Sequence, residues 1–155
     1  MPVAFGRVLA VMCLVAASVM VACGAGASPS LIRSAVPGSL AGTTWTAVLV
    51  TGQPTVTGSE PTAAFTADQI QGTTGCNDYG AAYRYATGVI KVDEPISTAI
   101  GCDGAVGATE QRFMAALKGA SSVAIDAEGR LLLDGTGGSI TFSVAPVGQP
   151  VRTPC

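Results

Sequence analysis

The most reactive groups in this sequence are its five cysteines, at positions 13, 23, 76, 102 and 155. Cys76 and Cys102 stand 26 residues apart, far from the Cys-x-x-Cys of a redox motif or a zinc knuckle. A thiolate metal site needs further ligands, and the chain contains no histidine to supply them. Three readings of the pair are open: a structural disulfide, two buried free thiols, or a redox switch. The disulfide is the expected one, because an oxidising compartment favours it. Cys155 closes the chain after Pro154 and has no evident partner.

Other constellations are weaker. Asn77 and Asp78 follow Cys76, and Asp103 follows Cys102, so pairing the cysteines would gather polar side chains at one place. A hard cation would want six or more oxygens, more than these supply, and Asn and Asp are also ordinary turn residues. Asp93 and Glu94 are adjacent, so on a strand they point to opposite faces and cannot flank one bond. Tyr83 and Tyr85 share strand parity, and with Asn77 they form a possible ligand rim. The lone Trp45 opens the first strand candidate and reads as core. Gly135-Thr136-Gly137-Gly138 lacks the lysine and following helix of a phosphate cradle. Without histidine there is no Ser-His-Asp triad and no Cys-His dyad. No catalytic residue, metal site or cofactor is expected.

The N-terminus has the parts of a secretory signal over residues 1–22. Arg7 is the basic region, Val8–Ala17 the apolar region, and Met20-Val21-Ala22-Cys23 the cleavage site. The last four residues resemble a bacterial lipobox, with Met20 in the place where Leu is usual. The expectation is cleavage before Cys23 and lipidation of its thiol, giving a membrane-anchored protein of the cell envelope that faces outside the cytoplasm. An ordinary signal cut near Ala27 and an uncleaved anchor are the alternatives. Residues 23–41 are rich in Gly, Ala, Ser and Pro, without hydrophobic periodicity, and read as a flexible linker.

These groups need a scaffold. Hydrophobic residues make up 48% of the 155 and charged residues 12%, and the net charge is −2. The basic residues are scattered rather than clustered, so no nucleic-acid partner is expected. Residues 42–145 break into short apolar stretches divided by Gly, Pro, Asp and Asn. Strands are predicted at 44–51, 63–67, 69–74, 81–85, 89–92, 122–126, 131–133 and 139–144. In the first, Trp45, Ala47 and Leu49 alternate with Thr44, Thr46 and Val48. Ala127-Glu128-Gly129 reads as a tight turn and 134–138 as a longer one. One helix is predicted over 107–118. There Glu110, Phe113, Met114 and Leu117 fall at 3.6 spacing, Phe113, Met114 and Leu117 can share a face, and Gly119 reads as a left-handed stop. The expected fold is mainly β (α+β), a small antiparallel barrel or curled sheet of about eight strands with the helix packed at an open end. Residues 146–155 read as a tail.

The order of motifs resembles the META domain family, that of the HslJ-like heat-inducible lipoproteins. Leu40 to Trp45 is similar to the family's opening, Pro61 to Phe65 to its second strand, and Gly72-Thr73-Thr74-Gly75-Cys76-Asn77 to its Gly-Cys-Asn signature. Thr98 to Cys102 resembles its Thr-x-Met-Ala-Cys segment, with Ile100 and Gly101 at two places, and Glu110 to Phe113 with Leu117 fits its helix. Gly80-Ala81-Ala82-Tyr83 departs from the family's usual Gly-Ser-Tyr. The resemblance covers Leu40 to Val144. It implies a small antiparallel barrel carrying a helix, with no catalytic residue, in an envelope protein tied in general terms to stress.

The functional expectation is a non-enzymatic, lipid-anchored envelope protein with a binding or structural role. A small-ligand carrier using the barrel mouth and a protein-partner or inhibitor module are the alternatives. The small-molecule or protein partner is not identified by the residues.

Overall fold

The computed structural model describes residues Val36–Val144. The signal segment 1–22, the lipidation site Cys23, the linker up to residue 35, the tail 146–155 and Cys155 lie outside the described residues.

The strands are β1 (Thr44–Val50), β2 (Gln53–Pro54), β3 (Thr62–Phe65), β4 (Gln69–Thr73), β5 (Asp78–Ala86), β6 (Val89–Val92), β7 (Ile96–Ser97), β8 (Ala120–Ile125), β9 (Leu131–Gly135) and β10 (Gly138–Val144), with helix α1 at Gly104–Lys118. Every pairing is antiparallel. The order runs β10-β9-β8-β6-β5-β4-β3-β1, and β1 pairs back to β10. Eight strands thus close a barrel, as expected, while β2 and β7 add at the edges of β1 and β5. The seam between β6 and β8 is the thinnest, a single bridge of Val89 with Ser122.

Alternation builds the interior. Along β5 the inward set Tyr79, Ala81 and Tyr83 is buried, and β9 and β10 contribute Leu131, Leu133, Ile140 and Phe142. Helix α1 turns Phe113 and Leu117 inward, both fully buried. The Phe113 ring meets Tyr79 edge-on at 5.3 Å and Phe142 at 6.3 Å. Such edge-to-face contacts suit the aromatic quadrupole. The helix therefore closes one end of the barrel with an aromatic cluster. The opposite end gathers the β3–β4, β5–β6 and β8–β9 turns, and Val144 leaves the barrel there beside Trp45.

Several local expectations are corrected. The first strand does not keep its parity, because a bulge between Ala47 and Leu49 makes Val50, not Leu49, the buried residue. The helix starts at Gly104, three residues before its apolar stripe becomes legible. Gly119 ends it in a right-handed conformation, φ −84°, and not a left-handed one. Its need for glycine is spatial: a Cβ there would sit 2.3 Å from the Gly137 nitrogen in the β9–β10 turn. That turn is also shorter than expected, with β9 reaching Gly135 and β10 starting at Gly138. Finally, residues 36–41 of the supposed linker lie against the barrel. Leu40 is buried, and the Gly42 N–H donates to the Phe65 carbonyl at 2.8 Å. A single leucine in a Gly/Ala/Ser/Pro background is invisible to composition, yet it suffices to dock six residues.

Candidate functional site

The polar centre of the molecule forms at the helix-closed end, where three loops meet. After β4 the chain turns sharply over residues 74–77. Gly75 makes this possible, with φ +90° and no room for a Cβ, which would fall 2.1 Å from the Ser59 carbonyl oxygen. Cys76 sits on this turn and Cys102 just ahead of α1. Their Cα atoms are 6.2 Å apart and the disulfide is formed. Gly107 in the first turns of α1 admits the approach, since a Cβ there would lie 2.0 Å from the Cys102 carbonyl oxygen.

Asn77 is buried beneath the disulfide. Its amide nitrogen donates to the Ile100 carbonyl at 2.9 Å and to Glu110 Oε1 at 2.8 Å. Its Oδ1 accepts from the Thr98 hydroxyl at 2.8 Å and from the Ile100 N–H at 2.7 Å. Thr74, fully buried, accepts from the Asn77 N–H at 2.8 Å and donates its hydroxyl to Glu110 Oε1 at 2.8 Å. Asn77 thus ties the β4–β5 turn, the segment after β7 and helix α1 into one network, and the disulfide duplicates the first connection to the third. Thr74, Thr98, Ile100 and Glu110 were not singled out as site residues from sequence. For Glu110 a signal was present: a carboxylate falls on the same helical stripe as Phe113 and Leu117, and so points at the barrel.

The expected rim of Asn77, Tyr83 and Tyr85 does not assemble. Asn77 precedes β5 and Tyr83 lies six residues along it, roughly 20 Å at strand rise. Tyr83 is a core residue: its ring packs edge-on against Phe65 at 5.2 Å and its hydroxyl donates to the Thr66 carbonyl at 2.7 Å. Burial, and then the charge of Asp68, push its hydroxyl above the ordinary phenol range. Tyr79 is also inside, donating to the Thr62 carbonyl at 2.8 Å, and burial drives its ionisation far upward. Tyr85 is half-buried at the other end of the barrel. Its hydroxyl donates to the Pro37 carbonyl and accepts from the Gly88 N–H at 3.1 Å, so it fastens the incoming chain to the β5–β6 turn.

The acids are dispersed. Asp93, half-buried, faces Arg84 at 3.6 Å and Glu94 faces Lys118 at 2.6 Å, the other three exposed. Asp78 and Asp103 are exposed and flank the disulfide in sequence, and Asp103 makes no side-chain cap bond to α1. Among the described residues no group of three or more His, Cys, Asp or Glu is placed to hold a metal ion. Trp45 is core, its indole N–H donating to the Thr43 hydroxyl at 2.8 Å.

A closed antiparallel barrel, filled by side chains and plugged by one disulfide-tethered helix, fits a small binding or structural module. The META domain model matches residues 38–146, and the chain belongs to that family. Among solved structures the chain is similar to a protein from Burkholderia xenovorans determined by NMR, at 19% identity and a TM-score of 0.58, covering 77% of this chain and 95% of that one. A second NMR structure matches at 20% identity and a TM-score of 0.58, covering 71% and 95%. At such identities the likeness concerns the fold alone. No curated protein sequence matches the chain.

Proposed function

We propose that this chain is an exported, lipid-anchored cell-envelope protein whose META barrel is a non-enzymatic binding or structural module, in a stress-related role, facing outside the cytoplasm and held to the membrane by lipid on Cys23. The observation that carries the reading is the Cys76–Cys102 disulfide, which agrees with the secretory signal and lipobox of residues 1–23: such bonds persist where thiols are not kept reduced. The surface rather than the interior is the working part. Phe65, Ile70, Ile90, Phe113 and Phe142 fill the barrel with near-zero exposure, which speaks against a carrier with a ligand in its mouth. Absence of catalysis is supported by the lack of histidine and by the placement of the acids, with Glu110 bonded to Thr74 and Asn77 and Asp93 and Glu94 in separate ion pairs.

The test is Cys23→Ala in the producing cell. It should leave unprocessed precursor or release the protein from membranes, and mass spectrometry of the parent should find acyl chains on Cys23. Each buried CH₂ contributes about 0.8 kcal/mol, so two or three chains hold firmly where one is marginal. An unmodified Cys23 in the mature parent ends the anchor reading. Turnover in hydrolase or transferase screens that disappears on mutating one acid ends the non-enzymatic one.

A further inference from the structure

Strand β7 has one partner, β5, through Tyr79 with Ser97 and Gly80 with Ile96, and its other edge is open. The Thr98 N–H donates to the Asp78 carbonyl at 3.0 Å, so the alternation of the ladder turns the main-chain groups of Ser97 and Ala99 outward. Both residues are exposed. The segment Ile96-Ser97-Thr98-Ala99-Ile100 carries no charge, and its two isoleucines are 78% and 64% exposed. Natural edges are usually blunted by lysine, proline or bulges. Here Pro95 precedes the segment and nothing within it does that work.

The edge is also rigid. Asn77 grips Ile100 by both its N–H and its carbonyl, as a neighbouring strand would, and the disulfide holds Cys102 two residues on. At the other end Lys118 of α1 pins Glu94. A fixed edge saves a partner the ordering cost that weakens flexible peptide sites. Its surroundings carry a sign. Asp93 and Glu94 are neutralised by Arg84 and Lys118, whereas Asp78 and Asp103 have no ion-pair partner among the described residues. Val36 lies against the β5–β6 turn, at the opposite end of the barrel from this edge.

We propose that the Ile96–Ile100 edge is a docking strand for an extended segment of a partner protein, apolar at alternate positions and basic at the end that meets Ile100, added beside β7 through the main-chain groups of Ser97 and Ala99. Ile96 and Ile100 lie on one face of the added sheet and select apolar side chains, while Asp78, opposite Thr98, and Asp103, next to Cys102, select a basic residue at the Ile100 end. This deepens the binding-module reading above and rests on it, but it does not depend on the lipid.

The probe is the synthetic peptide Lys-Thr-Val-Thr-Val-Thr-Lys, titrated into the full-length mature protein and followed by NMR and amide exchange. Expected are shifts confined to 95–103 and slowed exchange at Ser97 and Ala99. Ile96→Asp should weaken binding about tenfold or more, a factor ordinary for one apolar anchor. Ser97→Pro should do the same, because it deletes an outward donor while leaving the β5 pairing intact. Both positions are exposed, so melting temperatures near the parent's are expected for both variants. No binding, or binding that survives both changes, overturns the proposal. A concentration-dependent dimer that the same variants abolish also overturns it, since the occupant is then a second copy of this chain. An unlipidated Cys23 would remove the anchor reading and leave these outcomes unaffected.

Discussion

Replacing Asn77 tests whether one side chain organises the helix-closed end. In Asn77→Ala four hydrogen bonds of 2.7–2.9 Å disappear. Three of them involve Thr98 and Ile100, which are exposed and regain water, so each is worth only about 0.5 kcal/mol. The fourth reaches the Glu110 carboxylate, where a charged partner raises the value to about 1.5–3 kcal/mol. The sum is about 3–4.5 kcal/mol, a large share of the 5–15 kcal/mol that ordinary domains possess. At roughly 4–8 °C per kcal/mol for a domain of this size, the melting temperature should fall by at least about 12 °C. Asn77→Asp separates donor loss from acceptor loss. The introduced carboxyl keeps the two accepted bonds but faces Glu110 in a buried place, and both conditions hold its proton on in the folded state. Its folded pKa therefore exceeds the unfolded value of about 3.9. A raised folded pKa gives stability that is present below the unfolded value and lost as pH rises through the folded one. Asn77→Asp should thus approach the parent's stability in acid and fall away from it toward neutral pH. Thermal melts followed by circular dichroism across that range are the assay. A deficit under about 1 kcal/mol for Asn77→Ala, or an Asn77→Asp deficit independent of pH, would refute the reasoning.

Phe113→Ala empties a fully buried site between Tyr79 and Phe142 and should cost about 3–5 kcal/mol in denaturant unfolding; an unchanged midpoint would mean that α1 is not a plug. Thiol counting on the denatured, lipidated protein should find one free thiol, at Cys155, and three would contradict the disulfide. Reducing that bond should remove about 3–4 kcal/mol by the chain-entropy model for a loop of this length. In alkali, Tyr79 and Tyr83 stay protonated in the folded state past the ordinary value of 10.0. Their contribution is therefore complete below pH 10.0 and is lost as pH rises further, so phenolate absorbance from these two should appear together with unfolding. Ionisation of Tyr79 and Tyr83 without loss of structure would contradict their placement.

Much of the fold was legible because it rests on local periodicity. Trp45, Ala47, Ile140 and Phe142 alternate, and Phe113 and Leu117 recur at helical spacing, so an antiparallel barrel with one helix follows from sequence, and the structure agrees. The cysteine pairing was legible too, since Cys76 and Cys102 both fall at the ends of elements, where the backbone can adjust. What stayed hidden depends on contacts distant in sequence. The bulge after Ala47 is set by the pairing of β1 with β10, so no pattern within β1 announces that Val50 replaces Leu49 inside. Asn77 is a turn residue by type, and only the meeting of the β4–β5 turn, Ile100 and Glu110 makes it a buried clamp. Tyr83 shares its parity with Tyr85 in any strand. Which side of the sheet becomes interior is decided by closure of the barrel, and that puts the Tyr83 ring against Phe65 rather than at a rim. The open edge at Ile96 to Ile100 is likewise a property of the sheet, because a strand is an edge only when its second neighbour is missing. Sequence thus determines the alphabet of elements and the covalent link between two of them. Tertiary structure decides which side chains are inside and which main-chain groups remain unpaired, because burial and pairing are relations between segments and not properties of any one of them.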